Sequence, residues 1–169
     1  ISNLPTSFLA IGKGSIAGIP APTILLIIMF ILASILLNKL KIGRYIYAVG
    51  GNENAAMVSG INVKRVKMFV YILSGIACGV AAVILTARVS AGLPQAGESY
   101  ELDAIAAAVI GGTSLSGGRG RVWGTIVGAV LLGIVNNGLD LLNVSSFYQQ
   151  IVKGLIILGA ILIDSKRNK

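Results

Sequence analysis

Histidine is absent from this 169-residue chain, and cysteine occurs once, as Cys78. Without histidine, neither a Ser-His-Asp arrangement nor a histidine metal site can form, and one cysteine cannot build a thiolate cluster or an internal disulfide. Charged side chains are also scarce: they make up 12% of the residues, about half the share of an average soluble domain. The sequence therefore predicts no catalytic residues, no cofactor and no metal site.

The chain is instead rich in long apolar segments. Hydrophobic residues make up 55% of the chain, and several runs approach the roughly 20 residues with which an α-helix crosses a bilayer. We therefore predict an all-α polytopic membrane protein, with a connecting segment at 1–18 on the periplasmic side and a membrane domain at 19–169. The predicted spans are Thr23–Leu40, Met68–Val89, a short helix at 104–110, Val122–Leu142 and Phe147–Ile163.

The distribution of basic residues predicts the orientation. The formal net charge is +8, which in a soluble protein would suggest a nucleic-acid partner. Here the basic residues cluster at the ends of apolar segments, where they mark the cytoplasmic side of a membrane, so no nucleic-acid partner is predicted. If the short helix crosses, eleven of the fourteen lie inside, the exceptions being Lys13, Arg88 and Lys153. The pattern predicts five crossings and a cytoplasmic C-terminus.

The most basic segment, residues 41–67, lies between the first two predicted spans. It reads KIGRYIYAVGGNENAAMVSGINVKRVK and includes Arg44. Good helix formers begin at Glu53, and Gly60 follows them as a residue that can end a helix with a positive φ. We therefore predict a short, exposed helix on the cytoplasmic face, which suggests that a partner docks there.

Polar residues inside or beside the spans leave two interpretations open. Asn136 and Asn137 form a polar pair in the fourth span. They either line a path for a polar solute or make an interhelical hydrogen bond worth about 1 kcal/mol. Asp103 is a candidate N-cap of the short helix, or with Glu101 a part of an outer vestibule. Lys153 is expected to extend toward the outer interface.

Small residues predict close helix packing. The second span contains Gly75 and Gly79, and the fourth contains Gly124 and Gly128, both with the spacing GxxxG. This spacing lets helix backbones approach closely in a membrane. The glycines at 111–120 lack the Lys-Ser/Thr ending of a phosphate-binding loop, so nucleotide binding is not predicted for this chain.

Three motifs resemble a known family. They are, in chain order, GRYIYAVGGNENAAMVSGI, YELDAIAAAVIGGTSLSGGRGRVWGT and NNGLDLLNVSS. They resemble the permease subunits of bacterial ABC importers for monosaccharides, and ribose permeases most of all. Such permeases have ten spans and about twice this length. The resemblance therefore implies that the chain is the C-terminal half of one, in the bacterial inner membrane, which agrees with a sequence that starts at Ile1.

The resemblance also implies a function and partners. Members of this family import sugar with energy from a separate cytoplasmic ATP-binding subunit, which docks on a loop carrying an EAA-type sequence. A periplasmic sugar-binding protein and a second permease subunit, forming a homodimer in the lipid bilayer, complete the implied assembly. Asn54 replaces the usual first alanine of the EAA-type sequence. The implied coupling residues in loop 41–67 are Arg44, Glu53, Ala55, Ala56 and Gly60.

Other classes remain open from the residues alone. A passive channel would need no docking helix and no ATPase. A non-transporting membrane scaffold would tolerate the loss of Asn136 and Asn137. An enzyme is not predicted, because the sequence offers no constellation of acid, base and nucleophile.

Overall fold

The computed structural model of this chain describes residues 4–16 and 18–167. Within them, the chain forms eight helices and one short antiparallel hairpin, in which Ser15 lies opposite Pro20. The all-helical class predicted from the sequence is confirmed. The elements are α1 (Thr6–Lys13), β1 (Ser15–Ile16), β2 (Ile19–Pro20), α2 (Ala21–Asn38), α3 (Lys41–Gly51), α4 (Glu53–Val58), α5 (Val63–Val89), α6 (Tyr100–Ile110), α7 (Val122–Leu141) and α8 (Ser146–Arg167).

Three of the helices in the described part of the chain are long and apolar enough to cross a membrane. They are α2, α5 and α7, with 18, 27 and 20 residues, and they match the first, second and fourth predicted spans. α2 begins directly after Pro20 with Pro22 in its first turn, where a missing N–H costs nothing. Many of their large apolar side chains are exposed, as expected where lipid replaces water. The crossings of α6 and α8 stay predictions.

The chain divides into two compact units, and the first takes residues 1–46 and 56–98. It is built on α5, with α1 packed against both α2 and α5. Gly12 of α1 lies against the backbone near the end of α5: a Cβ at this position would come 2.6 Å from the carbonyl carbon of Ala87, which is fully buried. The segment predicted as a mere connection at 1–18 thus contains a packed helix. Residues 1–3 and 17 of that segment lie outside the described residues.

The second unit takes residues 47–55 and 99–169. In it, α6 packs against both α7 and α8. The buried cluster at this contact consists of Ala106, Ala107 and Leu132, with Ile110 and Ile157 packed against it. Small side chains at the centre of the cluster bring the helix backbones close together.

Glycines bring α6 and α7 into direct backbone contact. A Cβ at Gly128 would lie 3.0 Å from the carbonyl carbon of Ala107, and a Cβ at Gly124 would lie 3.0 Å from that of Gly111. Close packing through the second GxxxG pair is therefore found. The first pair differs, since positions 75 and 79 have no such neighbour within 4 Å in the described chain.

Several helix boundaries differ from the sequence prediction. Residues 41–51 form α3, although the sequence suggested a loop there. α5 begins at Val63 rather than Met68, because the side chain of Asn62 accepts a hydrogen bond from the backbone N–H of Arg65 at 3.1 Å and caps the helix. The first turn of α5 is basic, and α3 mixes basic with apolar residues over only 11 positions, so neither fits the pattern of a long apolar span.

The predicted capping role of Asp103 is wrong. α6 already begins at Tyr100, and Ser99, which precedes it, has a φ of 67° and makes no side-chain cap hydrogen bond. Asp103 therefore lies inside the first turn of the helix, where its charge still suits the helix dipole. Its carboxylate has a different partner, Lys153 of α8.

Candidate functional site

Residues 52–60, which the sequence predicts to dock on a partner and which we therefore name the docking segment, contain a short helix with a defined start and end. The side chain of Asn52 accepts a hydrogen bond from the N–H of Ala55 at 2.9 Å and so caps the start of α4. The N–H of Gly60 donates to the carbonyl of Met57 at 3.0 Å, and Gly60 has a φ of 82°. Both the short helix and the positive φ predicted from the sequence are found.

The predicted coupling residues differ in exposure. Arg44 on α3 and the segment residues Glu53, Ala55 and Gly60 are exposed, whereas Ala56 is buried. Asn54, the departure from the family pattern, is exposed as well, so its replacement of an alanine leaves the packing of α4 unaffected.

Two apolar residues of α4 were missed by sequence reasoning. Met57 is 58% exposed and Val58 is 90% exposed. Both lie outside the long apolar helices, so lipid contact does not explain them in the way that it explains the surfaces of α2, α5 and α7. The signal in the sequence was a pair of large apolar residues that follows two alanines and precedes Ser59, in a segment too short to cross a membrane. An exposed apolar pair of this kind is typical of a protein contact surface.

The end of α3 lies against the loop between α6 and α7, at a contact that we name the glycine junction. The phenol of Tyr47 donates a hydrogen bond to the carbonyl of Gly120 at 3.0 Å. A Cβ at position 117 would come 2.9 Å from the carbonyl carbon of Gly50, and one at position 118 would come 2.8 Å from the Cα of Gly51. The junction consists of Tyr47, Gly50 and Gly51 on one side and Gly117, Gly118 and Gly120 on the other.

Glycine is required in this loop for conformation as well as for space. Gly117 and Gly118 have φ values of 90° and 73°, a region that other residues rarely adopt. The loop is closed by backbone hydrogen bonds from Ser114 to Arg119 at 3.0 Å and from Gly117 to Ser114 at 3.2 Å. From the sequence, these glycines were predicted only not to form a phosphate-binding loop, and their contact with α3 was not expected.

An open cleft of about 490 Å³ lies along this loop. Its lining combines exposed backbone with basic side chains, so any acidic group that approaches it meets a favourable potential. The lining residues are Tyr47, Gly111, Gly112, Ser114, Gly118, Arg119, Gly120 and Arg121.

An ion pair joins the first turn of α6 to α8. The ammonium of Lys153 donates a hydrogen bond to Oδ2 of Asp103 at 3.0 Å and lies 2.8 Å from Oδ1. The side chains are only 12% and 25% exposed, for Lys153 and Asp103 respectively. The amide of Gln150 also donates to the hydroxyl of Ser99 at 3.4 Å. Lys153 therefore pairs with a carboxylate of the protein, whereas the sequence predicted that it would extend toward the outer membrane interface.

The two asparagines of α7 occupy different surroundings. Asn137 is exposed. The side-chain oxygen of Asn136 is buried and accepts no hydrogen bond within the described residues. A buried acceptor without a donor costs free energy. Asn136, rather than Asn137, is therefore the residue whose side-chain oxygen needs a further hydrogen-bond donor.

The described residues offer no group of three or more histidine, cysteine, aspartate and glutamate side chains that could hold a metal ion. What they do offer is long apolar helices, a short helix with an exposed apolar pair, and glycine contacts between backbones. These features define the class as a helical, multi-pass membrane protein. This chain belongs to the family described as branched-chain amino acid transport system, permease component, whose model matches residues 1–161.

Characterised relatives fall in the same class. The chain is 54% identical over 161 residues to the ribose import permease protein RbsC of Bacillus subtilis, which covers 95% of this chain and 50% of the relative. It is 53% identical over 158 residues to the protein of the same name from Haemophilus influenzae, with 94% and 49% covered. The L-arabinose transport system permease protein AraH of Escherichia coli is 42% identical over 163 residues, with 96% and 50% covered.

These relatives are permeases of transport systems rather than enzymes, and the chain spans about half their length. No solved structure matches the chain.

Proposed function

We propose that this chain is the C-terminal half of the permease subunit of an ATP-driven sugar importer in the bacterial inner membrane. Support comes from the permease family and from relatives named for the transport of ribose and L-arabinose. Ribose or a related monosaccharide is the proposed substrate. The proposed partners are a cytoplasmic ATP-binding subunit, a periplasmic sugar-binding protein and a second permease subunit that completes a homodimer.

The proposed topology has five crossings, with the C-terminus and loop 41–67 in the cytoplasm. The glycine junction supports it, because Tyr47 and Gly120 share a hydrogen bond and must therefore lie on one side of the membrane. Between them the chain passes through α5, which is long and apolar enough to cross. A return crossing is then needed before Gly120, and α6 is the helix available for it. The basic residues of both loops favour the cytoplasmic side.

The observation that carries the coupling proposal is the exposed apolar pair of α4. Met57 and Val58 lie on a helix of only six residues that is capped at its start and ended by Gly60. We assign this helix to docking on the ATP-binding subunit, with the apolar pair inserted into a pocket of that subunit. Arg44, Glu53, Ala55, Ala56 and Gly60 belong to the same coupling loop. Closure of the ATPase pair would then move the loop and switch the permease between two states.

Val58→Asp in the full permease tests this assignment. Because Val58 is 90% exposed, the change should leave membrane insertion intact. A charge in a docking pocket should weaken co-purification of the ATP-binding subunit by more than about tenfold and abolish ATP-driven sugar uptake. Leu93→Asp, at another exposed position between α5 and α6, is the matched control and should leave co-purification of the ATP-binding subunit unchanged.

Gly60→Val provides a second variant with a different mechanism. A Cβ at position 60 would have no atom of the described chain within 4 Å, but a β-branched residue is strained at the φ of 82° that Gly60 adopts. The end of α4 should therefore shift, and uptake should fall. Full ATPase binding and sugar-stimulated ATP hydrolysis in both variants would remove the loop from the coupling role. Sugar uptake by the permease without ATP would instead identify a passive channel.

Asn136 is the proposed contact to the sugar. Its buried oxygen lacks a donor within the described chain, and a sugar hydroxyl is such a donor. Asn137, which is exposed, is the weaker candidate for the path. Asn136→Leu should therefore lower uptake by about tenfold, whereas Asn137→Leu on the same helix turn should change it by less than about twofold. Equal effects of the two variants would contradict this assignment.

A further inference from the structure

The glycine junction connects the proposed docking segment with the α6–α7 pair, in addition to the path along the chain through α5. Gly51, the last residue of α3, is followed directly by Asn52, the cap of α4. On the other side of the junction, Gly117 and Gly118 belong to the loop that joins α6 to α7. A displacement of the docking segment therefore reaches α6 and α7 by a short route that bypasses α5.

The contacts along this route are made by backbone atoms. At the junction, Gly117 faces the carbonyl group of Gly50, and Gly118 faces the Cα of Gly51. At these two glycine positions the nearest described atoms all belong to the backbone, so no change of rotamer there can absorb a displacement. Close-packed protein interiors have low compressibility and transmit strain. The phenol of Tyr47, bonded to the carbonyl of Gly120, also resists sliding of the two segments past each other.

The loop beyond the junction is braced in the same way. Its hydrogen bonds between Ser114, Gly117 and Arg119 close it into a compact turn. A Cβ at Gly120 would come 3.1 Å from the side chain of Thr113, so the two ends of the loop also lie close together. These contacts join the two ends of the loop into one compact turn, which favours its movement as one body.

The route ends at the contact between α6 and α7. Gly111 follows α6, and its carbonyl carbon lies 3.0 Å from the Cβ position of Gly124 in the first turn of α7. Gly128 lies one turn further, against Ala107. Glycine contacts thus run from α3 through the loop to the helix pair, all within the unit formed by residues 47–55 and 99–169.

From this chain of contacts we propose that the glycine junction is the element that transmits movement of the docking segment to the α6–α7 pair during transport. Gly50, Gly51, Gly117 and Gly118 are positioning residues, and Tyr47 fixes their register. The proposal rests on the proposed function, since it needs an ATP-binding subunit at α4. It adds a specific requirement, which is that the movement driven by ATP hydrolysis passes through this contact to the helices that move the sugar. A change that disrupts the contact should therefore allow ATP hydrolysis without sugar uptake.

Gly117→Ala and Gly112→Ala in the full permease form a matched pair for the test. Both residues lie in the same loop with nearly equal φ, 90° and 86°, so the backbone strain of an alanine is the same in both. Only the methyl group at position 117 meets Gly50, because a Cβ at position 112 has no atom of the described chain within 4 Å. The difference between the two variants therefore isolates the junction.

The measurement is the ratio of sugar taken up to ATP hydrolysed, in proteoliposomes that contain the permease, its ATP-binding subunit and the sugar-binding protein. We expect Gly117→Ala to keep ATPase binding and ATP hydrolysis but to lower this ratio by at least about tenfold, since overpacking forces the two backbones apart. Gly112→Ala should keep the ratio within about twofold of the unchanged protein. Tyr47→Phe, which adds no atom and tests the junction if Gly117→Ala fails to fold, should lower the ratio about threefold.

The outcomes separate the two proposals. An unchanged permease that shows no ATP-driven uptake would overturn the proposed function itself. If it is active, equal ratios for Gly117→Ala and Gly112→Ala, together with no effect of Tyr47→Phe, would overturn the role of the junction alone. Loss of ATPase binding in Gly117→Ala would also overturn it, because the contact would then only hold the docking segment in place.

Discussion

The contact between α6 and α7 can be tested with one methyl group placed at two positions of the same helix. Gly128→Ala puts the methyl against the carbonyl group of Ala107, 3.0 Å from its carbon and 3.0 Å from the backbone nitrogen of Gly111. These are backbone atoms, so relief requires the helices to separate. Gly133→Ala adds the same methyl at a position where no atom of the described residues lies within 4 Å. The two changes differ only in what the methyl group meets.

The expected magnitude follows from that comparison. In a helix interior, alanine is favoured over glycine by about 1 kcal/mol, so Gly133→Ala should stabilise the protein by up to that amount. Gly128→Ala has the same gain, but overpacking should cost about 1–3 kcal/mol. Because the helix-propensity gain cancels, the difference between the two variants should be about 1–3 kcal/mol.

The assay is equilibrium unfolding of the full permease in mixed micelles, with both variants measured beside the unchanged protein. Gly124→Ala, which places its methyl against Gly111, should behave like Gly128→Ala. Equal stability of the position-128 and position-133 variants would refute the backbone contact between α6 and α7. It would also remove the last step of the route that leads from the glycine junction into the helix pair.

Two further predictions concern the ion pair and the topology. Asp103→Asn or Lys153→Met should each lower the unfolding free energy by about 1–3 kcal/mol, between the ranges for exposed and for buried pairs, because the side chains are 25% and 12% exposed. The double variant should recover most of the loss, whereas additive losses in an unfolding assay would show that the two charges do not interact. In a Cys78→Ser background, single cysteines at 52, 118 and 167 should react with an impermeant thiol reagent only from the cytoplasmic side, and those at 96 and 145 only from the periplasmic side. External labelling at 118 would show that α6 does not cross.

The long helices could be predicted because a single physical signal defines them. An apolar run of bilayer length has few alternatives in a membrane protein, so α2, α5 and α7 were expected within a few residues. The short α4 was also expected, since helix formers followed by Gly60 describe a local structure that neighbouring residues determine. Predictions of this kind need no knowledge of distant contacts.

The glycine junction could not be predicted, because it joins residues more than 60 positions apart. Gly50 and Gly117 each look like ordinary loop glycines, and only the fold shows that each leaves room for the other. The prediction that Asp103 caps α6 was wrong for a similar reason. Its sequence neighbours made it a plausible cap, but the ammonium of Lys153, brought in by the packing of α8, determines where the carboxylate points.

The length of α6 has a consequence for how the protein responds to bilayer thickness. The apolar part of α5, residues 68–89, rises about 33 Å, close to the roughly 30 Å of the hydrocarbon layer, so a small change of tilt adapts it to a thicker or thinner membrane. α6 has 11 residues and rises only about 16 Å. If it crosses, the turns at its ends must enter the membrane, and their polar backbone groups need protein or water around them rather than acyl chains. Where protein does not supply these partners, water must reach into the membrane beside α6, and the barrier that a polar solute faces is then thinnest at this helix.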